Sequence, residues 1–129
     1  MRTDEFVKTV TQLGGPSDAD RATEVTRTIL ENLGKRLKGG EAQNLADQLP
    51  QELAEPLTRH GAHEPLVDDV DDFLRRVAGQ LGSGTGTDEA SAWVRAVFAT
   101  LAQSVSEGEI ADVRAQLSTG FAPLFEPQR

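Results

Sequence analysis

The chain has 129 residues, 37% of them hydrophobic and 26% charged, and its 21 acidic against 13 basic side chains leave a net charge of −8. That length holds one ordinary domain, and the balance of apolar and charged residues is that of a folded protein rather than a disordered one. The absence of cysteine excludes disulfides, thiolate metal sites and cysteine nucleophiles, and the acidic surface opposes phosphate backbones and anionic membranes.

Both halves share the acidity: residues 1–64 hold 11 acids and 8 bases, and residues 65–129 hold 10 acids and 5 bases. No basic lobe is hidden in the average, so neither nucleic acid nor a membrane is expected as a partner. Asp4, Glu5 and Lys8 interrupt the N-terminal stretch where a secretory leader needs an apolar core. No run approaches the ~18 apolar residues of a membrane span. A cytoplasmic protein is the expectation.

In chain order, Phe6, Val7, Val10 and Leu13 fall on one face of a helix over about 3–13. A long helix over about 18–37 follows, with an apolar stripe from Ala22 through Ile29 and Leu33 to Leu37. Ser17-x-x-Asp20 reads as its capping box. Gly39-Gly40 reads as its stop, with Lys35, Arg36 and Lys38 where the helix dipole favours cations. A third helix over about 41–49 buries Leu45 and Leu49. A short fourth piece carries Leu53 and Leu57, kept short by Pro50 and Pro56.

The same series then returns. Val70, Phe73, Val77 and Leu81 match the first helix. Ala90, Trp93, Val97, Phe98, Leu101 and Val105 make the stripe of a second long helix over about 86–105, opened by Thr85-x-x-Asp88. Val113 and Leu117 match the third helix over about 109–117, and Phe121 and Phe125 match the fourth piece. A Gly-Glu pair and a Gln-Leu pair frame the third helix each time: Gly40-Glu41 with Gln48-Leu49, and Gly108-Glu109 with Gln116-Leu117, both shifted by 68 positions. The expected fold is therefore all-α, a single compact helical bundle of two tandem pseudo-symmetric repeats of three to four helices. Residues 1–129 form one domain, with repeat 1 over about 3–57, a connector over about 58–69 and repeat 2 over about 70–126. Neither half alone, near sixty residues, buries enough surface to be stable by itself.

These residues also resemble a known family. The long helix ending Leu37-Lys-Gly-Gly-Glu-Ala42, the run Leu45-Ala-Asp-Gln-Leu-Pro50, and Ser106-Glu-Gly-Glu-Ile-Ala-Asp-Val-Arg-Ala-Gln-Leu117 together are similar to the bacterial DUF2267 family, from Phe6 to Phe125. Ser118 departs from the proline that usually follows the second Gln-Leu. The resemblance implies an all-helical cytoplasmic domain of unassigned function and carries no catalytic residues with it.

Each candidate site has a plain structural alternative. His60 and His63, with Glu64 and then Asp68 and Asp69, are the residue types of a divalent-metal site. Gly61 and Pro65 interrupt the segment and no third ligand is fixed, so it reads as a polar connector; His60, His63 and Glu64 stand as the metal candidates, with no metal or cofactor assigned. Asp68, Asp69, Asp71 and Asp72 suit a solvated helix start. Gly82-Ser-Gly84-Thr-Gly86 lacks the lysine of a phosphate loop and follows no strand.

A helix–turn–helix reading fails on charge. The helix over 41–49 offers Glu41 and Asp47 with no lysine or arginine, and that over 109–117 offers only Arg114. No nucleophile–base–acid set can be assembled, and the matched carboxylates Glu41 and Glu109 read as two helix starts. Trp93, Phe121 and Phe125 add bulk in the second repeat, either as core or as anchors for a partner. The expectation is a non-enzymatic protein-interaction or regulatory module, acting on a protein partner or on a second copy of itself. The alternative is a small-ligand or metal-binding sensor, using the interface between repeats or the His60/His63 connector.

Overall fold

The computed structural model describes residues 1–38, 40–59, 69–82 and 84–125. Among them there are eight α-helices, one 3-10 turn and no strand. No described helix is long and apolar enough to cross a membrane.

Helix α1 (Thr3–Gln12) packs on α2 (Ala19–Gly34) and on α6 (Thr87–Ser104), while α5 (Val70–Leu81) packs on the same two helices. The two long helices thus lie at the centre, touching each other and flanked by the two shorter ones. Helix α4 (Gln51–Thr58) lies along α2, and α8 (Ala122–Phe125) lies along α6 after the 3-10 turn Thr119–Phe121. Helices α3 (Glu41–Ala46) and α7 (Glu107–Gln116) meet each other. One continuous core joins Phe6, Ile29, Leu33, Phe73, Phe98 and Leu101 from four helices. Phe73 meets Phe98 at 6.2 Å between ring centroids and meets Phe121 edge-on at 5.2 Å, geometries that aromatic pairs favour.

Helix ends depart from the sequence reading for local reasons. Asp18, not Ser17, caps α2, its carboxylate accepting the N–H of Asp20 at 2.8 Å. Gly86 precedes α6 with no side-chain cap, and the Thr85 hydroxyl turns back to the Gly82 carbonyl instead. Helix α2 stops at Gly34, three residues before Leu37. At that end α4 comes close: a Cβ at Gly34 would stand 2.3 Å from the Leu57 carbonyl oxygen, so only glycine lets the two backbones meet there. Leu37 still reaches the core from beyond the helix.

The serine at 106 explains a further difference. Its hydroxyl accepts the N–H of Glu109 at 3.2 Å and starts α7 at Glu107, whereas Lys38 at the matching position has no such oxygen and α3 starts only at Glu41. Asp69 caps α5 by accepting the N–H of Asp72, as its place at a helix start implies. Pro56 lies inside α4 and cannot donate to the Glu52 carbonyl four residues back. The Arg27 guanidinium donates to that carbonyl instead.

Candidate functional site

The feature that stands out chemically is where α3 meets α7. Glu41 opens α3, and Glu109 lies in the first turn of α7. Their side chains are only 9% and 8% exposed, in a protein where buried carboxylates ordinarily have partners. Oxygens of Glu41, Glu109 and the exposed Asp112 all lie within 4.8 Å of one another. Asp112 is three residues beyond Glu109 and so shares its face of the helix.

Hydrogen bonds satisfy this cluster incompletely. The Gln116 carboxamide N–H reaches Glu41 Oε1 at 3.5 Å, the long end of the hydrogen-bond range. Oε2 of Glu41 and Oε2 of Glu109 are buried and accept no hydrogen bond from any other residue; the one partner within reach of either carboxyl's own proton is the other carboxyl. Burial, followed by the hydrogen bond and charge of Glu41 and the charge of Asp112, pushes the Glu109 carboxyl up to about 7. Two like charges taken from water into one small space cannot both ionise freely.

Two glutamines frame the pair. Gln48 accepts the backbone N–H of Ser106 at 2.8 Å, and Gln116 accepts the backbone N–H of Lys38 at 2.6 Å. The Gly-Glu and Gln-Leu pairs of the sequence thereby meet in space: each glutamate faces its counterpart, and each glutamine ties down the approach to the other glutamate's helix.

The other residues singled out in the sequence lie elsewhere. His60, His63 and Glu64 are outside the described residues. Phe121 is 2% and Phe125 is 8% exposed, and Phe125 stacks on Phe98 with centroids 4.5 Å apart. Trp93 is half-buried with the Arg21 guanidinium 5.5 Å above its ring. The only large apolar side chains that are exposed among the described residues are Met1 and Leu13. Sequence reasoning took Glu41 and Glu109 as two separate helix starts and passed over Asp112. The signal that could have joined them was present: a carboxylate repeated at matched positions will meet its counterpart if it lies near the axis relating the two units.

Helices packed in this way, with an acidic contact between two short ones, define an all-α protein. Residues 3–124 match the model of the family described as uncharacterized conserved protein (DUF2267). The chain belongs to that family over nearly its whole length. No curated protein matches the chain.

Proposed function

We propose that this chain is a non-enzymatic regulatory module of two similar helical units sharing one core, and that its responsive point is the Glu41–Glu109 contact between them. The observation that carries the reading is the pair of buried, unpartnered Oε2 atoms at the α3–α7 contact. Burying a carboxylate without a donor is destabilising, and burying two together more so. A positively charged ligand arriving there relieves both, and so alters how firmly the units hold each other.

The duplication is supported by the pattern of contacts. The α1–α6 contact is answered by α5–α2, α4 on α2 by α8 on α6, and α3–α7 lies where a twofold axis would pass. The non-enzymatic part is supported by chemistry and access. The cluster holds carboxylates alone, and neither glutamate lines the groove of about 740 Å³ beside α1 and the start of α2 or that of about 310 Å³ between α7 and α8. An interaction module anchored on Trp93, Phe121 and Phe125 has less support, since the two phenylalanines are packed in the core.

The test is a comparison of metal-free wild type with Glu41→Gln and Glu109→Gln at pH 8. Each substitution keeps the shape and removes one of the two opposed charges. The reading expects slower hydrogen exchange in 40–49 and 106–117, and unfolding free energies raised by roughly 1–3 kcal/mol. Variants no more protected than wild type would show that the contact is not under electrostatic stress, and the reading would fail.

A further inference from the structure

We propose that Glu41, Glu109 and Asp112 bind one hard divalent cation of calcium size per chain. This rests on the reading of the α3–α7 contact as the responsive point, and it names the ligand class that acts there.

The first observation is geometric. Two ligands of one ion can stand no farther apart than twice the metal–oxygen distance, about 4.6–5.2 Å for calcium and about 4.0–4.2 Å for magnesium. The three carboxylates offer oxygens within 4.8 Å of one another, a spread that an ion with the longer metal–oxygen distances of calcium can span. The second observation concerns satisfaction rather than clustering, because acids gather on many surfaces without an ion. Glu41 and Glu109 are each more than nine-tenths buried, and each keeps an Oε2 that no donor from another residue reaches, so that only a proton held between the two carboxyls or a cation can satisfy them at once. Buried carboxylate oxygens in native proteins are ordinarily satisfied by a donor or a cation.

The donor set chooses the metal class. It is all oxygen, with no imidazole or thiolate, which suits calcium or manganese rather than zinc or copper. Glu41 and Glu109 supply the inner side from two different helices. Asp112 is exposed, so it closes the outer side while leaving room for the waters that complete a coordination number of six to eight. Gln116 is a positioning residue: it donates to Glu41 Oε1 at 3.5 Å and so restrains the Glu41 carboxylate at the edge of the cluster. Since the ligands come from α3 and α7, a bound ion ties together the elements that the glutamines already join.

The experiment uses the full chain after chelation, titrated with Ca²⁺ and Mg²⁺ by calorimetry and with Mn²⁺ by electron paramagnetic resonance. The expected result is one ion per chain, with Ca²⁺ bound more tightly than Mg²⁺. Glu41→Gln and Glu109→Gln each weaken binding by ~tenfold or more, and Asp112→Asn by a few-fold, as loss of one charged ligand does. Asp71→Asn, on the exposed start of α5, leaves it unchanged. Circular dichroism confirms that every variant is folded. Absence of stoichiometric binding at about 1 mM ion, or binding that survives both glutamate substitutions, overturns the proposal. If Glu109→Gln protects the metal-free α3–α7 contact while no ion binds, the cation proposal falls and the responsive-point reading stands. If metal-free Glu41→Gln and Glu109→Gln are no more protected than wild type, the reading itself falls and takes the proposal with it.

Discussion

Gln48 and Gln116 are reciprocal: Gln48 follows α3 and accepts the N–H of Ser106 at the start of α7, while Gln116 ends α7 and accepts the N–H of Lys38 just before α3. The two glutamines are 68 positions apart, and so are the two amides they hold. Each side chain thus supplies the other helix with a bond that the backbone at a helix start cannot make for itself.

That arrangement gives a site-resolved expectation. In Gln48→Ala the Ser106 amide exchanges faster, in Gln116→Ala the Lys38 amide does, and neither change crosses to the other amide. Each substitution lowers stability by about 0.5–1.5 kcal/mol, the net worth of one hydrogen bond. Amide-resolved hydrogen exchange checks it, and unchanged exchange at both amides would show that the carboxamides do not hold these turns.

Gly34 makes the second case. A methyl group there would meet the Leu57 backbone, with the carbonyl oxygen at 2.3 Å, the carbonyl carbon at 3.0 Å and Cα at 3.1 Å. Backbone cannot swing aside as a side-chain tip can, so Gly34→Ala forces α4 away from α2 and destabilises by about 1–3 kcal/mol despite alanine's better helix propensity. Gly79 in α5 is the control, because a Cβ there meets nothing within 4 Å. Gly79→Ala is expected to stabilise by about 0.5–1 kcal/mol. Chemical denaturation of the two variants should move in opposite directions.

The helices were legible in the sequence because their apolar stripes are strong, and each predicted helix is present. Their ends were legible only where a local signal decided them, as at Asp69. The need for glycine at 34 comes from Leu57, which is 23 positions away in the chain, so no local reading of the α2 C-terminus could show it. The Gly-Glu and Gln-Leu pairs were visible as a repeated pattern, but their use was not, since Glu41 meets Glu109 and Gln48 meets Ser106 only after the chain has folded. Of the polar connector read over about 58–69, residues 60–68, which hold the histidine candidates, lie outside the described residues.

Phe125 separates a core residue from a partner anchor. It is 8% exposed, stacked on Phe98, and covered by the Arg114 guanidinium 5.5 Å from its ring centroid. Phe125→Ala is expected to lower stability by about 3–5 kcal/mol, as loss of a buried aromatic does. A domain near the middle of the ordinary range of about 5–15 kcal/mol stays folded after that loss at 25 °C. Urea denaturation measures it; a cost below about 1 kcal/mol would mean that the ring adds little to the core and is there for something else.

The pH dependence of the metal-free protein follows from Glu109. Burial and the neighbouring Glu41 raise its carboxyl to about 7 in the folded state, while an exposed glutamate in the unfolded chain titrates near 4.3. The folded protein therefore holds a proton that the unfolded chain has released. This contribution to stability is fully present below the unfolded value, declines as the pH rises above it, and is lost once the pH passes through about 7. Chelator-treated wild type is accordingly expected to lose stability between pH 5 and pH 8. Glu109→Gln, which has no proton to lose at that position, keeps a flatter profile, and the two curves diverge most at the alkaline end. Thermal unfolding at pH 5, 6, 7 and 8 checks the sign: parallel curves would show that Glu109 ionises as freely in the folded protein as in water.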